Sequence, residues 1–298
     1  MRSFLEIDDL SVDELAAVLD ASERTRPPQV LAGLGVALVF EKPSNRTRNA
    51  TEMAVVQLGG HPVAIRSEEV GIDLRETAED VARTLACYHA VIGARVFEHH
   101  KLVRMADAVD VPVVNLLSDD AHPMQALADL LTLRQHFGSL AGRSLAWIGD
   151  YTNVARSLAI GAAMSGMEVR IAAPHGYGPE PHEVDRLAGL GARPLVTTRP
   201  DEAVADADAV FTDVWVSMGE EDEAIARRQA FEGFTVDAAL MAGAAADGVF
   251  LHCLPAHRGQ EVAAEVVDGP RSLVWQEAAN RMHVSRGLLL WLFGEGGA

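Results

Sequence analysis

A chain of 298 residues is about twice the usual length of one domain, so we expect two domains, each large enough to bury its own core. Its composition, 49% hydrophobic and 23% charged, is typical of a soluble globular protein, and the apolar run GLLLWLF at residues 287–293 is too short to span a membrane. The formal net charge of −18 argues against a nucleic-acid partner, because phosphate backbones require a basic surface.

The first half of the chain alternates predicted strands with predicted helices. Apolar runs and capping signals predict a helix at 11–21, a strand at 33–41, a helix at 47–58, a strand at 61–66, a helix at 76–90, and strands at 90–95 and 111–117. In the helix at 76–90, the spacing of Val81, Leu85 and Tyr88 predicts one shared face. This order is typical of a mostly parallel sheet that helices cover on both sides.

The same alternation starts again after a helix predicted at 123–136 and the short linker GSLAGR. The further predicted elements are a strand at 146–150, a helix at 155–166, a strand at 168–174, a helix at 182–191, strands at 193–198, 208–214 and 249–255, and a helix at 276–293. We therefore predict an α/β protein with two domains, residues 1–136 and 137–275, each with a mostly parallel sheet flanked by helices. The C-terminal helix, 276–298, is predicted to cross back to the first domain.

Two features of the sequence predict a cytoplasmic location. Only two cysteines occur, Cys87 and Cys253, which excludes a disulfide framework and fits a reducing compartment. The N-terminal stretch MRSFLEIDDLSVDEL carries acids instead of the basic and then apolar pattern of a secretory signal.

A cluster of hydrogen-bond donors follows the strand at 33–41, in FEKPSNRTRNATEMA at residues 40–54. A loop that leads from a strand into a helix offers unpaired N–H groups and the positive end of the helix dipole. Ser44, Asn45, Arg46, Thr47 and Arg48 add side-chain donors, and a planar guanidinium can hold two phosphate oxygens at once. The stretch therefore predicts a phosphate site; the alternative is a capped helix with solvated arginines.

Polar residues also follow other predicted strands, at the edge where open α/β sheets bind ligands. GDYTN at residues 149–153 lacks the later glycines of a dinucleotide-binding turn, so Asn153 is better suited to a small polar ligand, or to capping its helix. In DDAHPMQALADL, His122 and Gln125 are three residues apart and precede Asp129. They could reach one carbonyl or amide group together, although a lone histidine before proline is more often a helix cap or a satisfied polar residue.

Two more motifs, DVWVSMGEE at 213–221 and HCLPAHRG at 252–259, follow apolar strand-like runs. Taken alone, Cys253 and His257 could form a thiol nucleophile pair or bind zinc. The sequence has no second cysteine pair and no H-E-x-x-H, so we expect no metal site.

Taken in order, these motifs resemble the aspartate/ornithine carbamoyltransferase family, from Phe40 to the ANRMH stretch at 279–283. FEKPSNRTR is similar to the family's carbamoyl-phosphate loop, which usually contains S-T-R-T-R, and HPMQ is similar to its H-P-x-Q. DVWVSMGEE and HCLPAHRG resemble the ornithine-type members, whereas aspartate-type members typically carry H-P-L-P and lack the S-M-G loop. The resemblance implies a carbamoyl-phosphate domain followed by an ornithine domain, no metal or organic cofactor, and a homotrimer or a multiple of trimers with active sites at subunit boundaries.

The resemblance also implies a reaction: the δ-amine of L-ornithine attacks carbamoyl phosphate, and a tetrahedral intermediate gives L-citrulline and phosphate. It implies carbamoyl-phosphate binding by Ser44, Asn45, Arg46, Thr47, Arg95, His122, Gln125, Cys253, Leu254 and Arg281. It implies ornithine binding by Asn153, Asp213, Ser217 and Met218, with Cys253 beside the δ-amine. Among these residues, the implied catalytic groups are Arg95, His122, Cys253 and Arg281.

The sequence departs from the family pattern at two positions. Asn45 replaces the usual threonine, with modest expected consequences, since backbone N–H groups survive a side-chain change. Gly71 stands where many ornithine-type members place a glutamine or histidine that reaches the neighbouring subunit's active site. Arg75, or another residue, could take over that contact.

Other functions remain open from the sequence. A transcarbamylase with another acceptor, such as aspartate, putrescine or an acylated ornithine, is the nearest alternative, although the S-M-G and H-C-L-P motifs favour free ornithine. A nucleotide-binding oxidoreductase lacks support because the glycine fingerprint is missing. A non-catalytic member kept as a binding or regulatory subunit is the third alternative, but every expected catalytic residue type is present.

Overall fold

A computed structural model describes residues 2–216 and 221–295; of Glu221 it describes the backbone alone. The chain forms two compact units. Unit 1 comprises Met1–Leu131 with Ala279–Ala298, and unit 2 comprises Thr132–Ala278.

Unit 1 contains a four-stranded sheet, and every strand pairing in it is parallel. The elements in chain order are α1 (Val12–Ser22), β1 (Gly35–Phe40), α2 (Arg46–Gln57), β2 (His61–Arg66), α3 (Ser67–Val70), α4 (Ala78–Ala86), β3 (Val91–Arg95), α5 (His99–Asp107) and β4 (Val113–Leu117). The strand order is β2-β1-β3-β4, so β1 and β3 lie at the centre and their carboxyl ends, Phe40 and Arg95, are paired. The predicted parallel sheet is confirmed, but α3 and α5 were not predicted from the sequence.

The predicted face of α4 is wrong at one residue. Val81 and Leu85 are buried, but Tyr88 is 73% exposed. The helix ends at Ala86, and the N–H groups of Tyr88 and His89 both bond to the Leu85 carbonyl in the turn that follows. Helical periodicity stops at that turn, so the spacing no longer determines which way a side chain points.

Two helices continue from one unit into the other: α6 (Pro123–Phe137) and, at the C-terminus, α13 (Val274–Leu292). The C-terminal part of α13 packs within unit 1. Arg286 donates to Oε1 of Gln57 in α2 at 2.9 Å and to the Ser22 carbonyl at the end of α1 at 2.8 Å. Gly287 faces α1 so closely that a Cβ there would lie 2.0 Å from Oγ of Ser22. The predicted return of the last helix to the first domain is therefore confirmed.

Unit 2 contains a second sheet of five strands, again with parallel pairings alone among the described residues. Its elements in chain order are β5 (Ser144–Ile148), α7 (Asn153–Met164), β6 (Glu168–Ala172), α8 (Pro181–Gly189), β7 (Leu195–Thr197), α9 (Pro200–Val204), β8 (Ala209–Phe211), α10 (Ala224–Ala230), α11 (Ala238–Met241), β9 (Val249–Leu251) and α12 (Ala264–Val267). The order β7-β6-β5-β8-β9 places the start of the unit at its centre, because the chain builds outward from β5 first on one side and then on the other. Loops after β5 and β8 therefore leave the same sheet edge next to each other, which is where open α/β sheets bind ligands.

In the described part of the chain, no helix has both the length and the apolar character needed to cross a bilayer.

Candidate active site

The predicted phosphate loop lies between the end of β1 at Phe40 and the start of α2 at Arg46. Thr47, in the first turn of α2, is buried, so its hydroxyl and the nearby N–H groups lie at a protected helix N-terminus. The side chain of Asn45 does not cap the helix but accepts a hydrogen bond from Asn49 at 3.1 Å. Arg48 pairs with Glu52 one turn along the helix, at 2.8 Å.

Arg281 of α13 reaches the phosphate loop from the far end of the sequence. Its Nη2 donates to Oγ1 of Thr47 at 3.0 Å, and its Nη1 donates to Oε1 of Gln125. Gln125 in turn donates to Oδ1 of Asp129 at 2.7 Å, and all four side chains are buried. The guanidinium is thus held in one orientation by a chain that ends on a buried carboxylate.

A second buried arginine, Arg95, comes from the carboxyl end of β3 and donates to Oγ of Ser44 at 3.4 Å. His122 is also buried and directly precedes α6. Burial, followed by the positive charges of Arg281, Arg95 and Arg46, holds the pKa of His122 well below its usual value of 6.5. His122 is therefore a neutral imidazole, able to donate one hydrogen bond without carrying a charge.

Both lysines of the chain lie at this loop. Nζ of Lys101 pairs with Oε1 of Glu41 at 3.1 Å, with both side chains nearly buried, and Oε2 of Glu41 accepts the Phe97 N–H at 2.8 Å. Nζ of Lys42 lies 4.2 Å from the centre of the Phe97 ring. Lys42 also lines a cavity of about 300 Å³ that opens beside Ser44. These contacts fix the backbone just ahead of the phosphate loop.

In unit 2, the loops after β8 and β9 bring two predicted site residues together. The Cys253 thiol donates to Oδ1 of Asp213 at 3.0 Å, and the same oxygen accepts the Val214 N–H at 2.8 Å. Asn153 is the first residue of α7, so Thr152 takes the N-cap position and Asn153 is not the cap. Ser217 and Met218, predicted for the acceptor, lie outside the residues that the structure describes.

The turn after Cys253 is held by two buried side chains. Leu254 adopts a left-handed conformation, φ +60°, which costs a non-glycine residue about 1–2 kcal/mol. Its N–H donates to Nδ1 of His252 at 2.9 Å, so the proton of that ring lies on Nε2, which faces Oε1 of Glu261 at 3.3 Å. Glu261 also accepts the His257 N–H. The buried His252–Glu261 pair therefore fixes the position of Cys253 and of the Leu254 carbonyl.

One group of side chains could approach a metal ion: one ligand atom each of Asp213, His252 and Cys253 lies within 4.8 Å of the others. Both ring nitrogens of His252 are already used, one by the Leu254 N–H and one by Glu261. A metal would have to replace one of these bonds, so the arrangement fits a hydrogen-bonding role better than a metal centre.

Gly71 has φ +58°, and a Cβ there would meet the side-chain carbons of Arg75 at 3.1 Å. Glycine suits this position because it adopts the conformation freely and leaves room for Arg75. Nη1 of Arg75 lies 3.4 Å from the Glu69 carbonyl.

The structure thus joins Ser44 with Arg95, and Thr47 and Gln125 with Arg281, by direct contacts in unit 1, and it joins Asp213 with Cys253 in unit 2. Sequence reasoning missed the supporting residues Glu41, Lys101 and Glu261. Glu41 lies within the FEKPSNRTR motif, but charged side chains are usually solvated, so no local signal showed that these three would be paired away from solvent.

Comparison with known proteins gives two family matches that together span nearly the whole chain. Residues 2–135 match the model for the carbamoyl-P binding domain of aspartate/ornithine carbamoyltransferase, and residues 141–292 match its Asp/Orn binding domain. An ornithine carbamoyltransferase of Acidothermus cellulolyticus is 47% identical over 306 residues, covering 100% of this chain and 98% of that protein. One from Haloquadratum walsbyi is 43% identical, with 98% of each chain covered. The crystal structure of ornithine carbamoyltransferase from Thermus thermophilus superimposes with a TM-score of 0.90 at 44% identity, covering 98% of each chain.

Proposed function

This chain belongs to the aspartate/ornithine carbamoyltransferase family, and we propose that it transfers the carbamoyl group of carbamoyl phosphate to the δ-amine of L-ornithine, giving L-citrulline and phosphate. The observation that carries the proposal is the buried cluster in which Arg281 contacts Thr47 and Gln125 beside Arg95 and a neutral His122. Such a cluster suits a small dianion with a carbonyl group.

The donor is held by charge and by backbone N–H groups. The phosphate binds at the N-terminus of α2 through Ser44, Asn45, Arg46 and Thr47, with Arg95 added from β3. At least two guanidinium groups offset its charge, and their fork geometry fixes its orientation. The phosphate is thereby both oriented and made a better leaving group.

The carbamoyl oxygen gains negative charge as the tetrahedral intermediate forms, and donors aimed at that oxygen lower the barrier. Thr47, Arg95, His122 and Arg281 supply these donors. The neutral state of His122 is useful here, because a fourth positive charge would cost solvation without adding a better donor geometry. Gln125, whose Oε1 can accept a second hydrogen bond beside that from Arg281, holds the carbamoyl amine together with the Leu254 carbonyl.

The acceptor is recognised in unit 2. Asn153 and the Met218 backbone bind the carboxylate of ornithine, and Asp213 with Ser217 binds its α-amine. Cys253 lies beside the δ-amine, which must be neutral to attack. Sγ of Cys253 and Oδ1 of Asp213, which lie 3.0 Å apart, can each accept an N–H of the neutral amine, and this leaves the nitrogen lone pair free to face the carbamoyl carbon.

The reaction then needs no covalent enzyme intermediate. The neutral δ-amine adds to the carbamoyl carbon, the C–N bond forms, and the carbonyl electron pair moves to oxygen. Collapse of this intermediate breaks the C–O bond to phosphate, and the proton lost by the new amide nitrogen passes to the departing phosphate oxygen, so that hydrogen phosphate leaves as the dianion. Catalysis therefore rests on positioning and charge stabilisation.

The proposed assembly rests on the family resemblance, and the proposed location rests on the sequence composition. We place the enzyme in the cytoplasm as a homotrimer or a multiple of trimers, and we assign to Arg75 the inter-subunit contact that Gly71 cannot make. Removal of the Arg75 side chain by Arg75→Ala then weakens phosphate affinity, and full retained activity and affinity would contradict that assignment.

The first experiment compares product formation from carbamoyl phosphate with L-ornithine, L-aspartate, putrescine and N-acetyl-L-ornithine. Citrulline from ornithine, with the other amines at least about tenfold poorer in kcat/KM, supports the proposal. A preference for another amine would leave the proposed carbamoyl-phosphate site in place and change the proposed acceptor. An Arg46→Ala variant with unchanged carbamoyl-phosphate affinity would contradict the proposed phosphate site.

A further inference from the structure

Arg227 of α10 is a buried arginine with four identified partners, and no role in binding has been given to it above. Its Nη1 pairs with Oδ2 of Asp150 at 2.6 Å and donates to the Trp215 carbonyl at 3.2 Å. Its Nε pairs with Oε2 of Glu223 at 3.1 Å, and its guanidinium carbon lies 5.2 Å from the centre of the Tyr177 ring. A planar fork with a cationic face can satisfy all four at once, which a lysine cannot.

Two of these partners belong to the loops that carry acceptor residues. Asp150 lies in the turn after β5, three residues before Asn153, and Trp215 lies two residues after Asp213 in the loop after β8. Since β5 and β8 are neighbours in the sheet, their loops leave the same edge side by side. The side chain of Arg227 links these two loops.

The turn on the Asp150 side is itself rigid. The Asp150 carbonyl accepts from the indole of Trp147 at 2.9 Å, and the Tyr151 N–H donates to the Tyr177 carbonyl at 2.8 Å. The ring of Trp215 stacks on Phe231 at 5.7 Å, and Tyr177 meets the same phenylalanine edge-on at 4.8 Å. Arg227 therefore connects two preorganised pieces, and a change in its geometry shifts one against the other.

We infer that Arg227 is a positioning residue for the acceptor: it sets the spacing between the Asn153 turn and the Asp213 loop, which bind opposite polar ends of an α-amino acid. The inference rests on the proposed function, because it takes those two loops as the sites of the carboxylate and the α-amine. It adds a residue that acts through Asp150 and the Trp215 carbonyl without touching the substrate.

The kinetic constants for L-ornithine and those for carbamoyl phosphate, measured separately, distinguish this role from a general structural one. Loss of spacing is expected to weaken acceptor binding alone, because the donor cluster belongs to unit 1, whereas the four partners of Arg227 named above all belong to unit 2. We expect Arg227→Gln to lower kcat/KM for L-ornithine by about tenfold or more, with the KM for carbamoyl phosphate changed by less than about twofold. Arg227→Lys keeps the charge but loses the fork. We expect its kcat/KM for L-ornithine to lie between those of the unsubstituted protein and Arg227→Gln.

Arg228→Gln is the matched control, since Arg228 is the next residue of α10 and is exposed. Asp150→Asn supplies a second route, because it keeps the shape of the side chain while removing the ion pair. If Arg227→Gln fails to fold, Asp150→Asn alone carries the test with the same expected result. When both fold, the double variant is expected to lose less than the product of the two single losses, as for residues in contact.

A binding measurement tests the role of Arg227 without relying on the catalytic rate. L-Norvaline is ornithine without its δ-amine, so it keeps the carboxylate and the α-amine that the two loops are proposed to bind. Calorimetry in saturating phosphate is expected to give norvaline affinity about tenfold weaker in Arg227→Gln than in Arg228→Gln, with phosphate affinity equal in both.

The outcomes are distinguishable. If the unsubstituted protein forms citrulline but Arg227→Gln and Asp150→Asn match the control, this inference is wrong and the proposed function stands. If both KM values rise together with a lower melting temperature, Arg227 is structural only. If the unsubstituted protein neither binds norvaline nor uses ornithine, the proposed function fails and this inference fails with it.

Discussion

The guanidinium of Arg281 donates a hydrogen bond to the hydroxyl of Thr47 at 3.0 Å, across 234 positions of sequence. The contact joins the last helix of the chain to the first turn of α2, and the same guanidinium continues to Gln125. A planar group that donates in two directions is needed at this point.

Arg281→Lys is therefore expected to be far from conservative. A lysine keeps the charge but cannot hold Thr47 and Gln125 together, so donors to the carbamoyl oxygen lose their alignment. We expect kcat/KM for carbamoyl phosphate to fall by about 10²-fold. Steady-state kinetics measures this, with Arg258→Lys, an exposed ion pair with Asp268 in unit 2, as the control. Equal kinetics for both variants would show that the fork of Arg281 is unimportant.

His122 predicts a pH dependence of stability. Its pKa is well below the ordinary value in the folded protein, so the unfolded chain takes up a proton there first as the pH falls. Protonation then favours unfolding, and this contribution to stability is lost as the pH drops below about 6.5. In His122→Gln the loss between about pH 7 and pH 5 should be smaller.

Urea unfolding of both proteins at several pH values in this range measures the effect. His89 and His283 also have lowered pKa values, through burial first and then through His61 and Arg286, respectively. Their contributions are present in both proteins and cancel in the comparison. Parallel stability curves would contradict the assignment of a neutral, buried His122.

Cys253→Ser tests the contact between Cys253 and Asp213. A hydroxyl is a smaller and stronger hydrogen-bond donor than a thiol, so it holds Asp213 more firmly and fits the δ-amine less well. We expect kcat/KM for ornithine to fall by about 10–10²-fold, with carbamoyl-phosphate affinity unchanged. Initial rates over both substrates measure this, and Cys87→Ser, at the exposed second cysteine, should behave like the unsubstituted enzyme.

Gly287→Ala tests the packing of the last helix on unit 1. The added methyl would lie 2.0 Å from Oγ of Ser22 and 2.6 Å from the Val18 carbonyl, so α1 and α13 must separate. Overpacking of this kind costs about 1–3 kcal/mol. Gly189→Ala is the control, because that helical glycine has open space around it and alanine there stabilises by about 0.5–1 kcal/mol. Thermal unfolding should shift in opposite directions for the two variants.

Much of the fold could be predicted from local patterns. The strand at 33–41 and the helix at 47–58 contain most of β1 and α2, because buried runs and capping signals act over a few residues. The prediction failed at Tyr88, where a turn ends the helical period, and it missed the short helices α3, α5 and α9–α12. Roles of individual site residues stay predictions, since they depend on bound substrates.

The residues that support the site could not be predicted from the sequence for a different reason. Arg227, Glu223 and Asp150 look like ordinary surface charges, and only the packing of α10 on the loops of β5 and β8 buries the arginine among partners up to 77 residues away. Likewise, Glu261 is recognisable only once the turn at Leu254 has placed His252 against it.

The sequence by itself determined the alternation of strands and helices, the motifs that follow the strands and their order, because each of these depends on spacing within a short segment. Only the tertiary structure decided that Arg281 meets Thr47, that Cys253 meets Asp213, and that Arg227 joins two loops. Such contacts arise from strand order and helix packing, which bring distant segments together through burial that no local pattern specifies.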